Sequence, residues 1–145
     1  MGGDLIFGSA VMVVCVAVQC LVVAVLLRIL LGLERKQMFR PALFRTAAFL
    51  SAFVLIMLAG TLAQIGVWAA VFFVRGEFAD FATAFYHSTV NFSTLGYGDM
   101  VMSVEGRLLG ALEAVNGVMM FGLTTGVLFT VFNALLRRGW DSKMN

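Results

Sequence analysis

The sequence predicts an all-α membrane protein: three transmembrane helices, with a short re-entrant helix and an irregular loop between the second and the third. Two observations carry that reading. Of 145 residues, 61% are hydrophobic and only 12% are charged, and the mean hydropathy is +0.99, far from the usage of a water-soluble domain. Three stretches, Leu5 to Leu27, Thr46 to Val74 and Leu108 to Leu136, are almost free of charge, and each exceeds the roughly 20 residues a spanning helix needs.

The first helix is placed at 1–29. No Lys or Arg precedes it and its apolar stretch is longer than a signal-peptide core, so it reads as a retained helix. Cys15 and Cys20 both lie inside it, at a spacing that suggests neither a disulfide framework nor a metal site. A connector at 30–45 follows, carrying Arg28 at its edge and then Arg35, Lys36, Arg40 and Arg45 among apolar residues. It reads equally as a plain loop or as a short interfacial helix interrupted at Pro41. The outer helix is placed at 46–74, and the last helix at 105–136. The tail at 137–145 is too short to fold, so no further domain is expected after it.

Eight basic residues, those five with Arg137, Arg138 and Lys143, fall on one side of the membrane, against Arg75 and Arg107 on the other. The positive-inside rule then puts the N-terminus outside and the C-terminus in the cytoplasm. The net charge of +2 comes from these span ends rather than from a soluble basic patch, so no nucleic-acid partner is expected. No span is Arg-rich, which argues against a voltage sensor.

Phe81 to Gly98 is also free of charge, but it contains His87, Ser88, Thr89, Asn91, Ser93 and Thr94 before Gly-Tyr-Gly. That is too polar to face lipid. The flanking helices present their near ends on the same face, so the segment enters and leaves on one side. Irregular backbone at membrane depth survives only where it is buried in protein or lines a watery path. A helix over 81–92 followed by an extended stretch over 94–98 fits. Gly96 and Gly98 permit backbone angles closed to other residues, letting successive carbonyls face one way and replace a cation's water.

Val90-Asn91-Phe92-Ser93-Thr94-Leu95-Gly96-Tyr97-Gly98-Asp99 resembles the pore signature of potassium channels, with Leu95 standing where Val or Ile is commonest. Gly106-Arg107, Gly117 and Phe121-Gly122-Leu123 continue the likeness into the third span, similar to the inner helix of two-span bacterial channels. The likeness covers roughly Thr46 to Phe132 and leaves the first helix outside it. It implies a homotetrameric pore with K+ as permeant ion and no cofactor. K+ would be held by the carbonyls of Thr94, Leu95, Gly96 and Tyr97 and the Thr94 hydroxyl, in a filter ending at Gly98. The Tyr97 side chain would pack behind the filter, and Asp99 would sit at the outer mouth, attracting cations or pinning the filter by a hydrogen bond. The likeness also implies that Val118, Phe121, Thr125 and Phe129 line the cavity and gate, with Phe129 as a hydrophobic constriction. Gly117 stands where a hinge glycine falls, or serves close helix packing.

Glu113 is the one charged residue well inside a span. By helical period it shares a face with Asn116 and Met120, opposite the cavity face. Gln64 and His87 are its expected partners, and structural support is its expected role. The lone His87 is expected to be a packing group. Passive potassium conduction is the leading function, with K+, lipids and three further copies of the chain as partners, and a regulator at the first helix left open. A less selective cation channel and a nonconducting membrane scaffold are the alternatives. An enzyme is disfavoured, because no nucleophile, base and orienting group occur together. A bacterial inner membrane suits so compact a chain.

Overall fold

The computed structural model describes residues 2–35 and 43–144. Four helices follow in order: α1 (Gly2–Arg35), α2 (Leu43–Val74), α3 (Phe81–Phe92) and α4 (Arg107–Met144). No strand occurs among the described residues. Gly2–Ile29, Thr46–Val74 and Arg107–Asn133 are each long and apolar enough to cross a membrane, and the protein is a multi-pass membrane protein.

Several boundaries differ from the sequence expectation. α1 runs six residues past 29, α2 starts three residues earlier than 46, and α4 continues to Met144 instead of ending at 136. A helix once nucleated gains one hydrogen bond per added residue, so polar residues beyond an apolar span extend it until a breaker intervenes. At the other end, α4 starts at Arg107, two residues later than 105. The interfacial helix considered around Pro41 falls outside the described residues.

α2 ends in a Schellman motif. Gly76 takes φ 73, its amide donates to the Phe73 carbonyl at 3.0 Å, and the Glu77 amide donates to the Phe72 carbonyl at 3.0 Å. α3 starts on Asp80, whose carboxylate accepts the Thr83 amide at 2.9 Å and the Thr83 hydroxyl at 2.7 Å. Those bonds hold the Asp80 carboxyl below its ordinary pKa, with the Thr83 amide as the main cause. The Glu77 carboxylate accepts both the Ser103 amide and the Ser103 hydroxyl at 3.0 Å, and Ser103 Oγ in turn accepts the Gly106 amide at 3.1 Å. The exit from α2 is thereby tied to the start of α4.

α1 is part of the core. It packs on both α2 and α4, with Gly8 against the Leu112 and Leu109 side chains and Gly60 of α2 against Val22. The main core joins Val11 and Cys15 of α1 to Ile65, Trp68 and Phe72 of α2, Phe92 of α3, and Leu109 and Met120 of α4. A second cluster, Leu26, Phe53, Met57 and Val131, closes the other end of the bundle. Between them runs a buried polar chain: Gln64 Nε2 donates to Gln19 Oε1 at 2.7 Å, and Gln19 Nε2 donates to Thr124 Oγ1 at 3.0 Å. One polar thread thus crosses α2, α1 and α4, a form of bonding that membrane helices use where lipid offers no partner.

Candidate ion-conduction site

The 94–98 segment leaves the C-terminus of α3. The last carbonyls of a helix have no partner inside it, and here they take the amides of the following residues. Ser93 donates to Thr89 at 3.2 Å, Thr94 to Asn91 at 2.9 Å, and both Leu95 and Gly96 to Val90 at 3.0 and 3.3 Å. The amides from Ser93 to Gly96 are spent on the helix, which leaves the carbonyls of Thr94, Leu95 and Gly96 available to something else. Thr94, Gly96 and Gly98 have φ of 59, 57 and 74, and Leu95 and Tyr97 between them do not share the positive sign. Alternating φ sign turns each peptide plane relative to the last, the arrangement expected of a backbone whose carbonyls project to one side. Glycine adopts positive φ freely, but Thr94 is β-branched, and for such a residue that region is a true outlier.

Leu95 and Tyr97 are 55% and 66% exposed. The Tyr97 side chain is thus mostly uncovered by the described residues, so the expected packing behind the filter is not made among them. Asp99 accepts a hydrogen bond from the Tyr86 hydroxyl at 2.8 Å, a bond of the kind the pinning role would use. Behind the segment, a cavity of about 380 Å³ is lined by His87, Asn91, Gly98, Met102 and Gly110 among others.

On α4, Val118, Phe121, Thr125 and Phe129 are all exposed, a continuous face that the chain itself leaves uncovered. The Phe121 ring meets Phe92 edge-on at 6.0 Å, and the Thr125 hydroxyl is returned to the Phe121 carbonyl at 2.9 Å. Gly117 abuts the end of α3 so closely that a Cβ there would overlap the Phe92 carbonyl oxygen. The contact is with backbone, so it cannot be relieved by a rotamer change, and it supports the packing role for Gly117.

Glu113, Asn116 and Met120 are buried together, as the helical period predicts. The expected partners of Glu113 are wrong, however. Glu113 Oε2 accepts from Asn91 Nδ2 at 2.6 Å, and the same Asn91 nitrogen donates to the Gly110 carbonyl at 2.8 Å. Gln64 is instead occupied by Gln19 and by the Gly60 carbonyl at 3.3 Å. His87 lies among aromatic rings, 4.7 Å from Phe78 and 5.8 Å from Phe72, as a packing group would. Sequence reading missed Asp80, Glu77 and Gln19. Only Asp80 left a local signal, an Asp three residues before Thr at the head of an apolar run.

A family model described as "Ion channel" matches residues 60–134, the stretch from mid-α2 through the 94–98 segment and most of α4, and the chain belongs to that ion-channel family. Among curated relatives, potassium voltage-gated channel subfamily A member 2 of Xenopus laevis is 34% identical over 76 residues, covering 48% of this chain and 15% of that protein. Subfamily A member 6 of Homo sapiens is also 34% identical over 76 residues, 48% of this chain and 14% of the relative. Subfamily A member 5 of Oryctolagus cuniculus is 33% identical over 79 residues, 50% of this chain and 13% of the relative. The chain therefore spans about one seventh or less of the curated relatives it matches. No solved structure matches it.

Proposed function

We propose that this chain is one of four identical subunits of a potassium-selective channel, with the carbonyls of Thr94, Leu95, Gly96 and Tyr97 and the Thr94 hydroxyl forming the ion sites. The observation that carries the reading is the alternation of positive φ at Thr94, Gly96 and Gly98 in a segment whose first three amides, of Thr94, Leu95 and Gly96, are bonded to α3. Four such strands around an axis would replace the hydration shell of a monovalent cation with carbonyl oxygens. The names of the matched relatives, all potassium channels, support K+ as that cation. Fourfold assembly would cover what one chain leaves bare: the Tyr97 ring, Leu95, and the face carrying Val118, Phe121, Thr125 and Phe129. In that assembly the α4 face lines the cavity, Phe129 narrows it, Asp99 rings the outer mouth, and the C-terminal end of α3 directs partial negative charge inward. The distribution of basic residues supports an N-terminus outside and a C-terminus in the cytoplasm. No cofactor is required for passive conduction.

Flux of K+ and Na+ into liposomes, with barium as blocker and Gly96→Asp as control, tests this reading. Gly96 has φ 57, so the substitution introduces both strain and a carboxylate into the segment. Potassium-selective, barium-sensitive flux that the control lacks is the expected result. Equal flux of the two ions would reject the filter assignment, and a monomer as the solubilised species would reject the assembly.

A further inference from the structure

Thr94 holds a conformation that an isolated chain would avoid. A β-branched residue at φ 59 bears a cost of roughly 1–2 kcal/mol, and such strain persists only where the surroundings over-determine it. One of the restraints on Thr94 is visible: its amide donates to the Asn91 carbonyl at 2.9 Å. Asn91 is itself anchored. Its side-chain nitrogen donates to the Gly110 carbonyl at 2.8 Å and to Glu113 Oε2 at 2.6 Å, both on α4. Both protons of the Asn91 amide group are thus committed to one helix, while its main-chain carbonyl receives the strained residue.

α4 is in turn fixed against α3 at a second point. Gly117 rests on the Phe92 carbonyl, one turn of α4 beyond Glu113 and one residue of α3 beyond Asn91. Rotation or sliding of α3 on α4 is blocked there by backbone contact, so the Asn91 bonds decide the remaining freedom of the α3 C-terminus. Glu113 is completely buried, so its carboxyl group has no water to fall back on when Asn91 is lost.

We propose that Glu113 and Asn91 are positioning residues for the filter: α4 holds Asn91 through Glu113, and Asn91 holds Thr94 in its left-handed conformation. Neither touches the ion. The inference rests on the assignment of the 94–98 segment as a filter for its consequence in selectivity, but not for its consequence at Thr94.

The test compares the full chain with Glu113→Gln, Glu113→Val and Asn91→Ala. Glu113→Gln keeps an oxygen that accepts from Asn91, Glu113→Val removes it at apolar volume, and Asn91→Ala removes the donor. The Thr94 Cα and Cβ chemical shifts, which report the sign of φ, are read first in the detergent-solubilised complex because they do not depend on conduction. The full chain and Glu113→Gln should give one left-handed signal, and Glu113→Val and Asn91→Ala a shifted or divided one. Flux is read second: the K+/Na+ ratio should fall about tenfold in Glu113→Val and Asn91→Ala, the size of one lost buried hydrogen bond, and stay within about twofold in Glu113→Gln.

A left-handed Thr94 signal in assembled Glu113→Val and Asn91→Ala overturns the proposal. If Glu113→Val does not assemble, Asn91→Ala decides alone. Failure of both to assemble would make the pair a folding element and would equally overturn it. Loss of K+ preference in the unaltered chain counts against the proposed function, while the Thr94 signals still decide the inference.

Discussion

Around the 94–98 segment, Asp80, Glu77 and Asn91 each direct a side chain to a specific backbone atom, of Thr83, Ser103 and Gly110 respectively. At the opposite end of the bundle, Leu26, Phe53, Met57 and Val131 meet through apolar contact alone. The two ends solve different problems. In the proposed function, a row of carbonyls must be held to within fractions of an ångström to replace water around an ion, and directional bonds would supply that. Membrane-helix packing needs only shape and volume, and many apolar residues provide those. The difference implies that substitutions at the proposed filter end act on conduction and stability together, while volume-conserving ones at the other end act weakly on either.

Gly117→Ala is the largest expected effect. Its methyl group would overlap the Phe92 carbonyl, and relief requires moving α3 or α4, for a loss of about 3 kcal/mol, the upper range for overpacking. Thermal unfolding of the purified complex measures it. A midpoint equal to that of the unaltered protein would show that the ends of α3 and the middle of α4 are not in contact.

Gln19→Leu comes next. It removes the link between Gln64 and Thr124 at roughly constant volume, and a loss of about 1 kcal/mol is expected, as for interhelical bonds in membranes generally. The same thermal measurement applies, and no loss would mean that the Gln64–Gln19–Thr124 chain does not hold α1 in place.

A smaller effect belongs to Asp80 and depends on pH. The Thr83 amide and hydroxyl hold its carboxyl below the ordinary value of 3.8, so the folded state favours the ionised form. The cap's contribution is therefore full above that ordinary value and is lost as pH falls through the lowered one. The stability difference between the unaltered chain and Asp80→Ala should be level at neutral pH and shrink in acid below it. A difference that grows in acid would contradict the cap.

The smallest effect is expected for Met57→Leu in the apolar cluster, a volume-conserving exchange that costs less than about 1.5 kcal/mol. Its K+/Na+ flux ratio should match that of the unaltered chain. A changed ratio would break the separation between the two ends.

Much of this architecture was legible because it rests on local composition. Charge-free windows locate α1, α2 and α4, and the polar run ending in Gly-Tyr-Gly locates α3 and the segment after it. The 3.6-residue period also places Glu113, Asn116 and Met120 on one buried face. What was not legible depends on pairs far apart in sequence. Glu113 and Asn91 are 22 positions apart and Gln19 and Thr124 are 105 apart, and no periodicity within either helix says which polar side chain of the other it will meet. Gln64 and His87 were reasonable partners for Glu113 by depth, yet the first donates its Nε2 to Gln19 and the second lies among aromatic rings. The helix ends were misplaced for a related reason: apolar windows mark where a helix meets lipid, whereas the helix itself continues into polar sequence.

The central claim is that the 94–98 segment selects potassium, and the most direct test is paired K+ and Na+ flux through the purified protein in liposomes. Flux strongly favouring K+, blocked by barium and abolished by Gly96→Asp, is the predicted result. Na+ passing as readily as K+ through the same protein would contradict it.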